Sequence, residues 1–186
     1  MITDKILQGD VVYLRSCQLE DVTDEYVSWL NDETVNQYLE TRFSEQTTET
    51  VYTYVKRMIE SEKDYLFAII DKKDEKHIGN LHISMFPVHN RCEIAAFIGD
   101  KRYWGNGRPV DYIKIGTKFA FEELQTDWIG GGIYASNIFS LKAILKAGYK
   151  QEGYRRSYVF VGKEGKRDDV YLVGMTKEDF YNQKRT

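Results

Sequence analysis

Apolar residues recur along this chain with two different periods, and the switches between them mark its elements. Val11-Val12-Tyr13-Leu14-Arg15 is a short β-branched and aromatic run that predicts a first strand. From Leu19 the period lengthens. Val22, Tyr26, Trp29 and Leu30 fall on one face of a helix that Asn31-Asp32 interrupts. A second helical piece holds Val35, Tyr38 and Leu39, and a third carries Val51, Val55, Met58 and Ile59, with Thr47 or Thr48 as N-cap. Tyr65 to Asp71 and His77 to Phe86 then read as strands joined by the charged turn Lys72-Lys73-Asp74-Glu75-Lys76. Pro87 to Arg91 returns the chain into a third strand, Cys92 to Gly99, which predicts an antiparallel meander.

After that strand, a turn from Asp100 to Pro109 opens an amphipathic helix with Tyr112, Ile115, Phe119 and Ala120 on one side. Trp128 to Tyr134 is a further strand. Asn137 to Ala147 is a short helix with Ile138, Leu141, Ile144 and Leu145 inward and Gly148 as its stop. Tyr154 to Val161 and Asp168 to Met175 close the pattern around Gly162-Lys163-Glu164-Gly165-Lys166. Strands and helices do not alternate strictly enough for a doubly wound parallel sheet, so the order predicts one mixed α/β (α+β) domain over residues 1–186.

Composition narrows the function classes. A chain of 186 residues with 42% hydrophobic residues buries enough surface for a complete core without staples. Cys17 and Cys92 stand alone, without a Cys-x-x-Cys, which argues against a disulfide framework or thiolate metal site; both read as core residues, and no metal is expected. A net charge of −3 argues against nonspecific nucleic-acid binding. No apolar run approaches membrane-spanning length, and Met1 to Lys5 lacks the pattern of a signal peptide, so the expected address is cytoplasmic.

The turn carries the chemistry. Two glycines feeding a helix N-terminus leave backbone N–H groups without intrahelical acceptors, which is an anion site, and a diphosphate suits it. Tight backbone geometry alone also produces such a turn. A P-loop is excluded because Gly107 is followed by Arg108 and Pro109, not Lys and Ser or Thr; a dinucleotide fingerprint lacks its third glycine at Val110. Arg102-Tyr103-Trp104-Gly105-Asn106-Gly107 resembles the turn of the GCN5-related N-acetyltransferases: Arg or Gln, two residues, Gly, one residue, Gly or Ala. The stretch from Asn137 through Ser140 to Gly148-Tyr149 is similar to that family's second motif. Leu14-Arg15, Trp29-Leu30-Asn31-Asp32 and Ile78-Gly79-Asn80 look like the branch with ribosomal-protein alanine and nucleotide-linked amino-sugar acetyltransferases.

The resemblance implies a mostly antiparallel sheet of about seven strands, helices on both faces, and a splayed central parallel pair. It implies acetyl-CoA as donor, its pantetheine arm bonded to backbone around Phe97, Ile98 and Gly99 and its diphosphate met by amides from Tyr103 to Arg108, with Asn137 beside the arm. Lys142 and Lys146 either reach adenosine phosphates or form a solvated face. Pro109 departs from the family pattern and removes one N–H from the cradle.

Glu93 is the first candidate base, its alternative an ion pair with Arg91; His82 is a second candidate or a plain strand residue. The family's acid tyrosine would fall at Ile144, which cannot donate a proton. Ser140 is similar to the serine used for that step in the ribosomal-protein branch, and Tyr134 and Tyr149 are weaker candidates. Acceptor walls are expected from Trp29, Tyr38 and Arg42, with Arg42 suited to a phosphate, and from residues 155–166. The acceptor is a small amine, a nucleotide-linked amino sugar or a peptide N-terminus; a non-catalytic acyl-CoA-binding module is the alternative. A homodimer stays open.

Overall fold

A computed structural model of the chain describes residues 5–162 and 165–183. The start of the chain and Lys163-Glu164 of the last turn, both used in the sequence reading, lie outside the described residues. Eight strands form one sheet: β1 (Leu7–Gln8), β2 (Val12–Ser16), β3 (Asp64–Asp71), β4 (Lys76–Phe86), β5 (Arg91–Ile98), β6 (Trp128–Tyr134), β7 (Lys150–Val161) and β8 (Lys166–Thr176), in the order β1-β2-β3-β4-β5-β6-β8-β7. Helices α1 (Asp24–Asn31), α2 (Glu33–Asn36) and α3 (Thr48–Glu60) cover one face. Helices α4 (Arg108–Glu122), α5 (Ile138–Lys146) and α6 (Lys177–Gln183) belong with the other. The meander β3-β4-β5 is antiparallel as expected, and the sheet gains the short β1 at its edge.

Each face has its own core, set by the period-2 alternation of the strands. On β5, Cys92, Ile94, Ala96 and Ile98 pack toward α4, whose Tyr112, Ile115, Phe119 and Ala120 are buried as their spacing predicts. Phe97, on the opposite face, packs with Tyr26, Trp29, Val51, Val55 and Met58 from α1 and α3. Thr47 caps α3 reciprocally with Thr50. Gly148 stops α5 with φ +101°. The inward face of α5 differs from the sequence reading. Ala143, Ile144 and Ala147 are buried and Leu141 packs against the same core, whereas Ile138 and Leu145 are exposed, because the buried stripe of α5 is rotated toward Ala143 and Ala147 and leaves the Ile138/Leu145 side outside it.

One contact ties the two halves of the α4 face together. Asp111, in the first turn of α4, accepts the backbone N–H groups of Asp10, Val11 and Val12 at 3.0, 2.7 and 2.9 Å. Gly9 permits this approach, since a Cβ there would lie 2.6 Å from Asp111 Oδ1 and 2.5 Å from Ile115 Cδ1. A carboxylate with three amide donors is a charge-assisted cluster. Asp111→Ala is expected to lower unfolding free energy by about 2–3 kcal/mol, read as a shift in urea midpoint at unchanged slope; a loss under about 0.5 kcal/mol would mean that water replaces the carboxylate freely.

Candidate active site

β5 and β6 are parallel neighbours for three residue pairs only: Arg91 with Trp128, Cys92 with Ile129, Glu93 with Gly130. Beyond Glu93 each strand follows its other partner, β5 pairing with β4 as far as Ile98 and β6 with β8 as far as Tyr134. A fork opens between them. Which backbone groups face it follows from antiparallel phase. The amide of Gly99 donates to the Ile78 carbonyl at 2.8 Å, so Phe97, Ala95 and Glu93 also turn their backbone groups toward β4, while Ile94, Ala96 and Ile98 turn theirs into the fork. On β6, the bonds from Lys177 N to Asp127 O and from Ala135 N to Asp169 O set the same phase, and Gly132 and Tyr134 face the fork. Of the expected backbone contacts Phe97, Ile98 and Gly99, Ile98 alone is directed there.

Glycine keeps the vertex bare. Gly130-Gly131-Gly132 lie on β6 where the strands part, and a Cβ on Gly131 would sit 3.2 Å from the Ile94 carbonyl oxygen. The sequence expectations did not include this run; three glycines in a strand interior are the signal that could have found it, and the register gives it meaning.

At the far end of β5, Asp100 caps a 3-10 turn, Lys101–Tyr103, and its carboxylate grips Arg102 through Nε at 2.8 Å and Nη2 at 2.5 Å. This pairing with Arg102 holds the Asp100 carboxyl at about 2, below the usual range. Gly105, Asn106 and Gly107 follow with φ of +79°, +52° and +81°, and a Cβ on either glycine would meet nothing within 4 Å. Among the described residues, the amides of Gly105, Asn106, Gly107 and Val110 find no acceptor. They form an open nest at the N-terminus of the 15-residue α4. Arg108 does not aim its charge at this nest: Nε donates to the buried Asp71 at 2.6 Å, and the guanidinium lies 5.1 Å from the Tyr103 ring centroid. Tyr103 donates to Asp74, and the Trp104 indole donates to the Ile98 carbonyl at 2.9 Å, across the mouth of the fork.

The α1/α3 face of the fork is polar. Glu93 is half exposed and accepts Arg91 Nη1 at 2.8 Å, with Arg91 stacked on Phe86. Asp64 accepts His82 Nε2 at 2.9 Å and the hydroxyls of Ser84 and Ser61 at 2.8 Å each. Partial burial alone would raise the Asp64 carboxyl; these donors outweigh it and bring it below the usual range. The Tyr38 ring packs at 5.5 Å from that of Tyr134, tilted by 58°, and the Tyr134 hydroxyl donates to Glu40 at 2.9 Å. Two expected wall residues are core instead. Trp29 is 6% exposed and lies where a Cβ on Gly99 would collide with its ring at 2.2 Å. Arg42 is 2% exposed and donates through its two terminal nitrogens to the carbonyls of Leu39 and Phe160 and to Tyr134, so it ties the 3-10 turn Glu40–Phe43 to β6 and β7; its Nε is buried without a partner among the described residues, and the guanidinium as a whole is interior and does not face the cleft as a phosphate ligand would.

On the other strand's side, Asn137 caps α5 by accepting the Ser140 amide at 3.2 Å, and Ser140 is half buried. Ile144 is core, and the buried Tyr149 hydroxyl pairs with Thr117 at 2.8 Å, burial pushing its ionisation up. The Arg91–Glu93 ion pair is the alternative expected from the sequence for Glu93; Asp64, Ser84 and Glu40 were not singled out, because only the strand register brings them to the fork.

Comparisons agree with this geometry. The model of a family described as acetyltransferase (GNAT) domain matches residues 12–150. A Bacillus subtilis (strain 168) protein called "Probable N-acetyltransferase YjcK" is 27% identical, over 94% of this chain and 98% of its own. "Uncharacterized N-acetyltransferase YoaA" of the same organism is also 27% identical, over 93% and 98%. Among solved structures, spermidine N-acetyltransferase from Vibrio cholerae in complex with CoA and spermine superposes with TM-score 0.81 at 17% identity, covering 92% of this chain and 98% of that one. An acetyltransferase from Bacillus anthracis gives 0.79 at 17%, covering 94% and 99%.

The Asp100 pairing gives a pH signature. A carboxyl at about 2 in the folded protein and ~3.9 unfolded contributes stability that is complete above about pH 4 and is lost as pH falls through about 2. Asp100→Asn is therefore expected to be less stable than the parent at pH 6, the difference closing between about pH 4 and 2. Chemical denaturation at stepped pH reads this out. A difference that stays constant over that range would remove charge from the explanation.

Proposed function

The chain belongs to the GNAT acetyltransferase family, and we propose that it moves acetyl from acetyl-CoA to a small primary amine by direct attack in a ternary complex. The observation that carries this reading is the parallel pair that opens after three residues, with a nest of amides at the far end of its free edge. From Glu93 to Ile98 the edge spans roughly 17 Å at strand rise, a length suited to an extended pantetheine arm between diphosphate and thioester. Gly105, Asn106, Gly107 and Val110 would hold the diphosphate, while Arg102, Tyr103 and Arg108 keep the turn in shape. Ala96 and Ile98 would pair with the arm, Trp104 leaving the Ile98 carbonyl as it does so. Asn137 has its side-chain carbonyl oxygen committed to the cap and would offer its amide N–H to the same arm.

Glu93, at the vertex, draws the acceptor's ammonium. The ammonium loses one proton, the neutral nitrogen attacks the thioester carbonyl carbon, and the C–N bond forms as C–S breaks. Of the two protons left on nitrogen, one passes to the departing sulfur with Ser140 as relay and the other stays as the acetamide N–H. The products are the acetamide and CoA thiol. Alignment of the two reactants in the fork supplies much of the rate. The acceptor is read as small and cationic because Glu93 and Glu40 stand exposed on its side while the Arg42 charge is internal. The solved spermidine enzyme of the same fold puts polyamines in the test panel beside nucleotide-linked amino sugars and peptide N-termini.

A thiol-release assay across that panel, with acetyl-CoA titrated calorimetrically, tests the reading: turnover with small amines supports it, and no turnover and no CoA binding at millimolar donor overturns it. The non-catalytic alternative, favoured by Ile144 in the core where family members place an acid, gives CoA binding without turnover. For the donor site, Gly107→Val is expected to weaken CoA binding about tenfold, ~1.4 kcal/mol. A variant that loses thermal stability alone would make the turn merely a tight bend.

A further inference from the structure

The cross-strand register places Asp64, Ser84, Glu93 and Gly130 opposite one another in one lateral row across β3, β4, β5 and β6, and the fork opens at its end. The adjacent row runs Leu66, His82, Ala95. His82 thus shares a face with Glu93 and is separated from the fork by a single strand, about 5 Å wide, whose side chain at that point is the exposed methyl of Ala95. The imidazole is fixed: Nε2 bonds Asp64 Oδ1 at 2.9 Å, and Asp64 is in turn held by Ser61 and Ser84. An Nε2–H directed at a carboxylate leaves Nδ1 as the lone-pair nitrogen, and Nδ1 has no partner among the described residues. His82 also lines a depression of about 570 Å³ with Tyr54, Arg57, Glu60, Lys63 and Asp64, so water reaches it.

We propose that His82, oriented by Asp64, is the group that takes the proton of the acceptor's ammonium, through one water lying over Ala95. The inference rests on the acetyltransferase reading and adds to it a destination for the first proton. Glu93 has a different task, since Arg91 occupies its carboxylate at 2.8 Å and orients it to position the ammonium. The step balances: the ammonium N–H bond breaks, its electron pair stays on nitrogen for attack on the thioester, and the proton forms the Nδ1–H of an imidazolium paired with Asp64. Solvent removes that proton through the depression before the next cycle. The charged and titratable groups facing His82 are Asp64 on β3, Lys63 just before it, Tyr54, Arg57 and Glu60 on α3, and Glu93 on β5.

The test uses the full chain, acetyl-CoA and the best amine of the panel, with kcat/KM followed from pH 5.5 to 9.5 for wild type, His82→Gln, His82→Ala, Asp64→Asn and the double variant His82→Gln/Asp64→Asn. The expected result is a loss of about 100-fold at pH 7 for both His82 variants, within the usual range for a positioned base. Their rate should climb continuously with pH where wild type levels off, and added imidazole should restore part of the His82→Ala rate. Affinity for acetyl-CoA should stay within about twofold, and the double variant should be no slower than His82→Gln, as for residues acting as a unit. Wild-type turnover with an unchanged pH profile in the His82 variants, or losses that track melting temperature without imidazole rescue, overturns this assignment and leaves the acetyltransferase reading intact. Absence of wild-type turnover overturns both.

Discussion

The arrangement depends on a conflict over hydrogen bonds at β5 and β6. Each strand has a full-length antiparallel partner on its outer side, and the two partners diverge. Sheet twist rotates neighbouring strands by ~20–25°, and a parallel pair anchored at one end cannot follow two outer partners at once. Contact is kept where Cys92 and Ile129 share the core and is given up past Glu93. The cost is a set of ladder groups, at Ala96, Ile98, Gly132 and Tyr134, without a strand to satisfy them. Of these Ile98 is buried and Gly132 exposed; a buried amide without an acceptor costs ~1–3 kcal/mol, so a ligand with polar groups along an extended arm gains most at the Ile98 end.

Side chains around the fork are arranged to keep that edge vacant and its ends rigid. Gly130, Gly131 and Gly132 remove side chains from β6 where it leaves β5. At the other end, the charges that might have met an anion are used to hold the turn: Arg102 on Asp100, Arg108 on Asp71 and Lys101 on Asp32. The nest is then a backbone device. Pro109 costs it little, because the amides without acceptors lie at Gly105 to Gly107 and at Val110, on either side of the proline.

Local pattern made most of the fold legible. The meander, the α4 face, the Thr47 cap and the Gly148 stop follow from periodicity and capping chemistry within a few residues of each position. The turn and the Asn137 cap were legible as local features, since a glycine turn before a helix needs no tertiary information. What pattern could not supply was phase and depth. Phe97, Ile98 and Gly99 are neighbours in sequence, yet an antiparallel register sends their backbone groups alternately to β4 and to the fork. Arg42 and Trp29 have the types that line pockets, and only the packing of α1 and of the 3-10 turn after α2 shows that both are interior. The inward side of α5 was misread for a related reason. Ile138 and Leu145 have helical spacing, but the arc that meets the core is centred on Ala143, Ile144 and Ala147 and leaves both outside it.

Asp111 shows why departures from a family pattern need the structure before they are weighed. Read along the chain, Arg108-Pro109-Val110-Asp111 looks like a damaged cradle. In the fold, Asp111 leaves the cradle and takes three amides of the turn between β1 and β2, while Arg108 leaves it for Asp71 at the end of β3. The first turn of α4 thereby joins the sheet edge to its centre, and the nest at Gly105 to Gly107 is positioned by contacts on two strands besides its own. A site made of main-chain amides has no side chains to adjust, so its accuracy must come from what fixes the backbone. Asp100 and Asp71, clamped to Arg102 and Arg108 of the leading turn and α4, and Asp111 of α4, clamped to the amides of Asp10 to Val12, supply that fixing.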